Sequence, residues 1–348
     1  MSHQPFFDAD GIIHLHTKYS DGSGEIPDIM KDAADQQLDF IIFTDHNTLK
    51  PLKDGWEGWY GSVLAIIGME INDRNDENHL LAMGIDELAA KNKPATEYVT
   101  EVVDRGGICF LAHPHEKRDQ LPQYPPYPWK AWESRDFTGM EIWNHMSSWM
   151  EGLTEENKYQ RFIHPLKSLT IPPDETLAKW DELNRERLVV GIGGSDCHAF
   201  EQEILGVKVQ VFPYKVAFRA IRTTVLLETP LSPTDPFATS EAKILEALRT
   251  GRCFFVNYYR GSGKGFRFWY EMSGSELQMG DRQAFQPGVF KIFSPEIRTI
   301  TLLKDGVEIA RVTDTDHLTL PAAGPGVYRS VVWFNDTGWI YSNPITLL

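Results

Sequence analysis

The stretch IIHLHTKYSDGSGEIPDIM, residues 12–30, places two histidines one residue apart on an apolar run. In a β-strand, residues i and i+2 face the same side of the sheet, so His14 and His16 would present their imidazoles side by side. A buried strand usually carries valine or leucine at such positions. The pair is therefore either half of a metal site or, as is more common for this pattern alone, two partly exposed histidines.

Polar groups follow several other apolar runs in the same way. The segments are TDH (44–46), GMEIN (68–72), LAHPH (111–115) and GSDCH (194–198). Strand-like and helix-like patterns alternate through the first two thirds of the chain, which predicts a mostly parallel sheet or barrel with helices outside. Because the carboxyl ends of parallel strands meet at one mouth of a barrel, these side chains are expected to converge there.

The composition excludes some classes of function. The 348 residues carry 34 Lys and Arg against 49 Asp and Glu, a net charge of −15, which disfavours general nucleic-acid binding. Three cysteines are too few for a disulfide framework, and neither a signal peptide nor a membrane-spanning run is visible. These features predict a cytoplasmic protein that does not associate with membranes.

A proline-rich segment divides the chain. ETPLSPTDPFAT (228–239) contains three prolines and reads as a stiff connector. A short helix follows, and then short alternating runs lie between Gly, Pro and Asp turns, which is typical of a β-sandwich. We therefore predict a barrel domain over 1–227, a linker over 228–239, and a short helix with a sandwich-like all-β domain over 240–348.

The motif series HLHTKYSDGSG, FTDHNT, GMEI, LAHPH and GGSDCH resembles that of the PHP (polymerase and histidinol phosphatase) superfamily, over roughly residues 10–210. The resemblance implies a distorted (β/α)7 barrel that holds two or three divalent metal ions. The later segment VYRSVVWFNDTGWIYSNPI (327–345) resembles the carboxyl-terminal module of PHP metallohydrolases of the CehA/McbA type.

The resemblance also implies which residues bind the metals. The expected ligands are His14, His16, Glu70 and Asp196 for the first ion, Glu70 as a bridge with His79 and His113 for the second, and Asp21, His46 and His198 for the third. Asp21 departs from members that have histidine at that place. The assignment of His79 and His113 to individual ions stays open. A mixture of nitrogen and oxygen ligands suits Zn, Mn or Fe.

Closely spaced metal ions activate a bridging water and clamp the oxygens of an in-line displacement. We therefore expect a metal-dependent phosphoesterase in which a metal-bound hydroxide attacks a small phosphorylated substrate, a phosphomonoester or a nucleotide-like molecule. Glu70 and Asp196 would act through the metals that they hold. His115 is a candidate for the general acid, although it could equally cap its own loop. Asp45 is expected to orient an imidazole, or else to cap a turn.

Five residues near the expected mouth are candidates for substrate binding. They are Lys18, Lys117, Arg118, Glu141 and Asn144. The aromatic loop QYPPYPWKAWESRDF (123–137), with Trp143 and Trp149 after it, either walls the pocket or packs the β domain against the barrel, and the second reading is slightly favoured.

Two other functions compete with phosphate-ester hydrolysis. The same metals could hydrolyse carboxylic or carbamate esters or amides. Alternatively, the chain could be a metal-dependent binding protein without catalysis, although the complete set of ligands argues against a degenerate site.

Overall fold

A computed structural model describes residues 6–88, 92–118, 124–204 and 206–348 of the chain. In these ranges, no helix has both the length and the apolar character needed to cross a membrane.

Helices and strands alternate up to the proline-rich segment. In chain order the elements are β1 (Phe7–Ile13), α1 (Ile26–Asp35), β2 (Phe40–Phe43), α2 (Lys50–Lys53), β3 (Gly58–Tyr60), β4 (Val63–Ile67), β5 (Met69–Asn72), β6 (His79–Met83), α3 (Ala95–Asp104), β7 (Ile108–Leu111), β8 (Gly139–Asn144), α4 (His145–Met150), α5 (Lys158–Ile163), α6 (Asp174–Glu186), β9 (Val190–Gly194), β10 (Glu201–Ile204), β11 (Val207–Gln210), α7 (Tyr214–Ala217) and β12 (Ile221–Leu227).

Strands dominate the rest of the chain. The elements are α8 (Phe237–Thr250), β13 (Cys253–Asn257), β14 (Arg267–Met272), β15 (Ser275–Gln278), β16 (Arg282–Gln283), β17 (Gly288–Lys304), β18 (Val307–Pro321), β19 (Gly326–Phe334), β20 (Thr337–Ser342) and β21 (Ile345–Leu347). The fold is thus mixed α/β with a β-rich carboxyl-terminal part, and the α/β class expected from the sequence is confirmed at this level.

Local sequence explains where several elements begin and end. Helix α1 has Pro27 in its first turn, where a missing N–H costs nothing, and it buries Ile26, Ile29 and Met30 on one face. Helix α8 ends at Gly251, whose φ of 72° is left-handed and therefore favours glycine.

The apolar run at residues 62–71 forms two strands, β4 and β5. The break lies at Gly68, whose N–H bonds to the Phe43 carbonyl. A Cβ on Gly68 would lie 2.6 Å from the Ala82 carbonyl oxygen, so the chain can make this close approach only with glycine.

Two sheets build the amino-terminal part. Strands β1, β2 and β4 pair in parallel, and β12 runs antiparallel to β1. The second sheet has the order β5-β6-β7-β8-β9, in which β7, β8 and β9 are parallel and the hairpin strand β6 is antiparallel to both of its neighbours. The sheets meet through bridges between Leu15 and Cys197 and between His46 and Glu70.

The first sheet continues into the β-rich part of the chain. Strand β13 pairs with β12 on one side and with β20 on the other, so hydrogen bonds run on into β19, β17 and β14. Helix α8 packs on β12 and β4. Strands β17 and β18 are longer than the sequence suggested and join at a tight Asp305–Gly306 turn, where both residues have positive φ. The division at residues 228–239 stays a prediction.

Candidate metal centre

The nine residues expected to bind metal come together where the two sheets meet. We refer to them as the histidine–carboxylate cluster: His14, His16, Asp21, His46, Glu70, His79, His113, Asp196 and His198. Among the described residues, three groups of these side chains have ligand atoms within 4.8 Å of one another, namely His14, His16, Glu70 and Asp196; His16, Asp21, His46 and His198; and His46, Glu70 and His79.

The backbone leaves regular strand geometry to build this cluster. His14, His113 and Asp196 have φ values of 66°, 28° and 53°, in the left-handed region. Such conformations cost non-glycine residues on the order of 1–3 kcal/mol each. Backbone hydrogen bonds between the two segments stabilise these strained conformations. The His16 backbone N–H donates to the Cys197 carbonyl (2.9 Å), and the Asp196 backbone N–H donates to the His14 carbonyl (2.6 Å). The two histidines of the opening motif therefore converge through a turn at the end of β1, not as neighbours along a strand.

Glu70 lies at the centre of the cluster. Its Oε2 is 3.0 Å from His14 Nε2 and 3.1 Å from His16 Nε2, and its Oε1 is 2.9 Å from His79 Nδ1 and 3.3 Å from His113 Nε2. His46 Nδ1 also lies 3.4 Å from Oε2. The two oxygens of one carboxylate thus face two different sets of imidazoles, which is how a carboxylate bridges two cations.

Asp196 completes the first group. Its Oδ1 is 3.4 Å from both His14 Nε2 and His16 Nε2. With Glu70, it gives these two imidazoles a pair of carboxylates on the buried side of the cluster.

Asp21 closes the side of the cluster that faces solvent. Its carboxylate lies 3.3 Å from His198 Nε2 and 3.8 Å from both His46 Nε2 and His16 Nδ1, and half of its side chain is exposed. The ring of His16 is stacked between those of His46 and His198, with centroids 4.4 and 4.0 Å away. This third group is therefore the one that a solvent molecule reaches first.

The carboxylates and imidazoles shift each other's ionisation strongly. Burial by itself lowers the pKa of His16, but its contacts with Asp196 and Glu70 outweigh burial and raise the pKa to about 9. The same balance raises the pKa of His79 to about 9, mainly through Glu70. Burial raises the pKa of Glu70, but the surrounding imidazoles hold it well below its ordinary value. The carboxylates thus require positive charge beside them.

Buried imidazole nitrogens without hydrogen-bond partners indicate that metal cations can supply the positive charge that the carboxylates require. His16 Nδ1 and Nε2 and His113 Nδ1 are buried without a hydrogen-bond partner among the described residues. The short distance from His16 Nε2 to Glu70 therefore does not satisfy the geometry of a hydrogen bond. Buried polar atoms are rarely left unpaired, and imidazole nitrogens that converge with carboxylate oxygens form the ligand set of Zn, Mn or Fe.

Two side chains outside the histidine–carboxylate cluster, Glu141 and Asn144, make hydrogen bonds to its residues. The sequence suggested Glu141 as a pocket residue. One of its carboxylate oxygens lies 3.1 Å from His14 Nδ1, and the other accepts a hydrogen bond from the backbone N–H of His113 at 2.8 Å. Asn144 donates to Glu141 at 2.9 Å and approaches Asp196 at 3.4 Å. Glu141 thus orients the ring of His14, as outer partners of metal ligands commonly do, and holds the backbone at His113.

The structure does not bring all the predicted residues to the cluster. Lys18 pairs with Glu25 at the surface, and Lys117 pairs with Glu175. Neither lysine is among the described residues that line the cavity over the cluster. Their suggested roles stay predictions.

The proposed general acid also lies elsewhere. His115 Nδ1 is 3.1 Å from the Thr176 hydroxyl, and its ring stacks on Trp132 instead of facing the cavity. Asp45 accepts hydrogen bonds from the Thr17 N–H and the hydroxyls of Thr17 and Ser20, so it holds a turn and not an imidazole.

A cavity of about 730 Å³ opens over the cluster. Arg118, Tyr124, Tyr127 and Trp149 line it, whereas Trp143 is fully buried against the β-rich part. The aromatic segment therefore serves both purposes considered from the sequence, with different residues for each. Gln123 lies outside the described residues.

Some contacts could not be read from the motifs. Asn72 lies 2.9 Å from His46 and 3.1 Å from His79, and Asp76 lies 3.4 Å from His79. The signal available for both was their place in the polar turn after the GMEI motif. The apolar side of the cavity had no sequence signal, because its residues come from distant segments.

Residues 13–140 match the family model of the PHP domain. The match confirms the resemblance of the motifs in this part of the chain to the PHP superfamily. Asp196 and His198 lie beyond the matched residues, and tertiary structure joins them to the cluster. An uncharacterized protein of Methanocaldococcus jannaschii is 27% identical over 116 residues, which are 30% of this chain and 66% of that protein, so the match spans just under two thirds of the relative's length.

Two solved structures are distantly similar. One is a two-domain protein of Bacteroides vulgatus ATCC 8482 containing a predicted PHP-like metal-dependent phosphoesterase, with 16% identity, coverage of 98% of this chain and 96% of that chain, and a TM-score of 0.48. The other is an amidohydrolase of Chromobacterium violaceum with bound sulfate and no metal, with 12% identity, coverage of 59% and 92%, and a TM-score of 0.34. At TM-scores below 0.5, these likenesses carry no argument about function.

Proposed function

We propose that this protein is a metal-dependent hydrolase and, more specifically, a phosphoesterase that acts on a small phosphorylated molecule. The observation that carries the proposal is Glu70, whose two oxygens face separate sets of imidazoles beside an open cavity. We include in the proposal that the amino-terminal part is a distorted (β/α)7 barrel, and that the protein works in the cytoplasm.

Two or three divalent ions, Zn, Mn or Fe, would be held by the histidine–carboxylate cluster, with Glu70 shared between ions. When bound, such ions activate water and offset the negative charge of a phosphoryl group. The protein's own part is to hold the ligand atoms in place. Glu141 fixes the ring of His14, and Asn144 links Glu141 to Asp196.

Arg118 is the side chain we assign to substrate orientation. It lines the cavity and pairs with Glu116 through one terminal nitrogen, whereas its Nε is buried without a hydrogen-bond partner in the described part of the chain. A guanidinium on the wall of the cavity can donate charge-assisted hydrogen bonds to a phosphoryl oxygen.

One observation favours a second candidate, hydrolysis of carboxylic or carbamate esters or amides. Among the described lining residues, the lysine and arginine side chains are Arg118 and Lys158, and these pair with Glu116 and Glu155. A cavity with so little free positive charge also accepts a neutral ester.

The test is elemental analysis of the purified protein, followed by a screen for phosphate release after loading with Mn or Zn. We expect at least two ions per chain and release of phosphate from small esters. His16→Ala should lower the rate by about 100-fold or more, because losing even an outer partner of a metal ligand costs 10–100-fold.

The matched control is His317→Ala, which removes an exposed imidazole from β18 and should leave metal content and rate unchanged. Activity confined to carboxylic or carbamic esters would replace the phosphoesterase with the second candidate. Full hydrolysis by His16→Ala would remove the cluster from catalysis and point to a binding protein.

A further inference from the structure

His46 belongs to two of the three ligand groups in the histidine–carboxylate cluster. Its ring nitrogens face different carboxylates, because Nδ1 lies 3.4 Å from Glu70 Oε2 and Nε2 lies 3.8 Å from Asp21 Oδ2. A neutral imidazole carries a proton on one nitrogen and a free lone pair on the other, and only the nitrogen with the lone pair can bind a cation. The place of the ring proton therefore decides which ligand group His46 joins.

The side chain of Asn72 contacts Nδ1 of this ring. Asn72 Oδ1 lies 2.9 Å from His46 Nδ1, which is closer than the oxygen of Glu70. An amide oxygen only accepts hydrogen bonds, so an oxygen at this place requires a proton on Nδ1. The oxygen and the nitrogen of an amide are told apart by their partners, so the other contacts of Asn72 settle its orientation.

Two neighbours fix the orientation of the Asn72 amide. The backbone N–H of Asn72 donates to Asn47 Oδ1 at 3.0 Å, which leaves Asn47 Nδ2 to donate to Asn72 Oδ1 at 3.1 Å. On the other side, Asn72 Nδ2 donates to the Asp76 carboxylate at 2.5 Å, and an ionised carboxylate only accepts. Both contacts turn the amide oxygen towards His46 and the amide nitrogen away from it.

Asn72 and Asp76 also reach a second imidazole, that of His79. Asn72 Nδ2 lies 3.1 Å and Asp76 Oδ1 lies 3.4 Å from His79 Nε2, whereas His79 Nδ1 lies 2.9 Å from Glu70 Oε1. The two side chains thus contact His79 on the nitrogen that does not face Glu70. One amide and one carboxylate in the polar turn after β5 therefore contact two expected metal ligands.

The same contacts have a simpler use, which is to join two turns. The Asn47 N–H donates to the Glu70 carbonyl at 2.9 Å, and its φ of 51° is one that asparagine adopts more readily than most residues. Joining the turns does not require an amide oxygen directed at an imidazole nitrogen. The contact with His46 is therefore the observation that separates the two uses.

Resting on the proposed function, we propose that Asn72 is a positioning residue that keeps the ring proton of His46 on Nδ1 and so presents Nε2 to the cation site beside Asp21. With Asp76, it also holds the ring of His79. The hydrogen bonds of the amide to His46 and to Asp76 carry the proposal. Outer partners of this kind fix the tautomer and the orientation of histidines that bind metal.

The first test needs neither metal nor catalysis. Long-range nitrogen–proton correlation spectra of the metal-free protein show which ring nitrogen of His46 carries the proton, and His46→Gln assigns the signals. We expect the proton on Nδ1 in the wild type and a shift towards Nε2 in Asn72→Ala. A proton on Nε2 in the wild type, or an unchanged His46 signal in Asn72→Ala, overturns the inference.

The second test exchanges the two side chains and measures Mn affinity by calorimetric titration. Asn72→Asp alone places two carboxylates in contact and should weaken Mn binding about 10–100-fold, the usual cost of disturbing an outer partner. The double variant Asn72→Asp/Asp76→Asn again offers His46 an acceptor and keeps one amide beside one carboxylate, so it should recover most of the affinity. Equal losses in the single and double variants overturn the inference.

Asn75→Asp is the matched control, because it makes the same change at an exposed position of the same turn and should leave Mn affinity unchanged. A melting temperature for each variant verifies that it is folded. Mn binding that follows these expectations without any phosphate release would remove the phosphoesterase but keep the role of Asn72. Phosphate release by Asn72→Ala with full Mn affinity would remove the role of Asn72 and leave the proposed function standing.

Discussion

The histidine–carboxylate cluster and the junction between α6 and β19 both bury charged side chains, but they balance charge differently. At the junction, Arg329 Nε and Nη2 donate to the two oxygens of Asp181 at 2.7 and 2.8 Å, and both side chains are buried. In the cluster, three carboxylates share six imidazoles at 2.9–3.8 Å, and both ring nitrogens of His16 lack a hydrogen-bond partner among the described residues.

This difference indicates what each region needs. The Asp181–Arg329 pair is complete within the chain, because each charge meets the other with matching geometry. The cluster is incomplete without further positive charge, since its carboxylates raise the pKa of His16 and His79 to about 9 against the effect of burial. Burial alone does not mark a functional site, whereas imidazole nitrogens and carboxylate oxygens that converge beside an open cavity do.

The largest effect is expected from breaking the complete pair. Arg329→Ala leaves Asp181 buried without its partner and should lower the free energy of unfolding by about 3–5 kcal/mol. Urea unfolding measures this loss.

The double variant Asp181→Leu/Arg329→Met should recover most of that stability, because apolar residues of similar size replace buried ion pairs well. Arg311→Ala is the control, since Arg311 pairs with Glu308 at the surface and should contribute less than about 1 kcal/mol. A loss that small in Arg329→Ala would mean that the junction does not depend on its ion pair.

The next prediction compares the imidazoles of the cluster with His145, a buried imidazole that no carboxylate contacts. His145 packs on Phe212, and burial lowers its pKa to about 4, against an ordinary value of 6.5. The unfolded chain therefore binds a proton between these values that the folded chain does not. The contribution of uncharged His145 to the free energy of unfolding is fully present above pH 6.5 and is lost as the pH falls towards 4. The loss amounts to about 2–3 kcal/mol at pH 4.5.

Urea unfolding of wild type and His145→Gln at pH 7 and pH 4.5 checks this sign. The wild type should lose stability relative to the variant at the lower pH, while His317→Gln controls for removal of an exposed imidazole. An equal loss in wild type and His145→Gln would show that His145 charges freely in the folded state.

The smallest effect is expected from changing Glu141, which contacts the ring of His14. Glu141→Gln keeps the shape of the side chain but removes the charge beside His14, and should weaken Mn binding about 10–100-fold, or about 1.4–2.7 kcal/mol. Calorimetric titration measures the affinity.

Glu186→Gln is the control, because Glu186 makes an exposed pair with Arg135. Unchanged Mn affinity in Glu141→Gln would mean that the ring of His14 needs no carboxylate behind it.

Much of the fold was predictable because local patterns determine single elements. The proline of α1, the glycine after α8 and the polar turn between β5 and β6 all mark boundaries that the structure has. The pairing of β12 with β13 was not predictable, because hydrogen bonding between strands depends on which edges are left free after the first sheet forms.

The sequence by itself determined which residues could bind metal, since histidines and carboxylates recur at the ends of apolar runs and parallel strands bring such ends together. It also determined the PHP motif series. Tertiary structure alone decided that His115 and Asp45 face other partners and that Glu141 supports His14 from behind. The physical reason is that side-chain direction beyond a strand end depends on φ and ψ of single turn residues, and the contacts that select those angles come from distant parts of the chain.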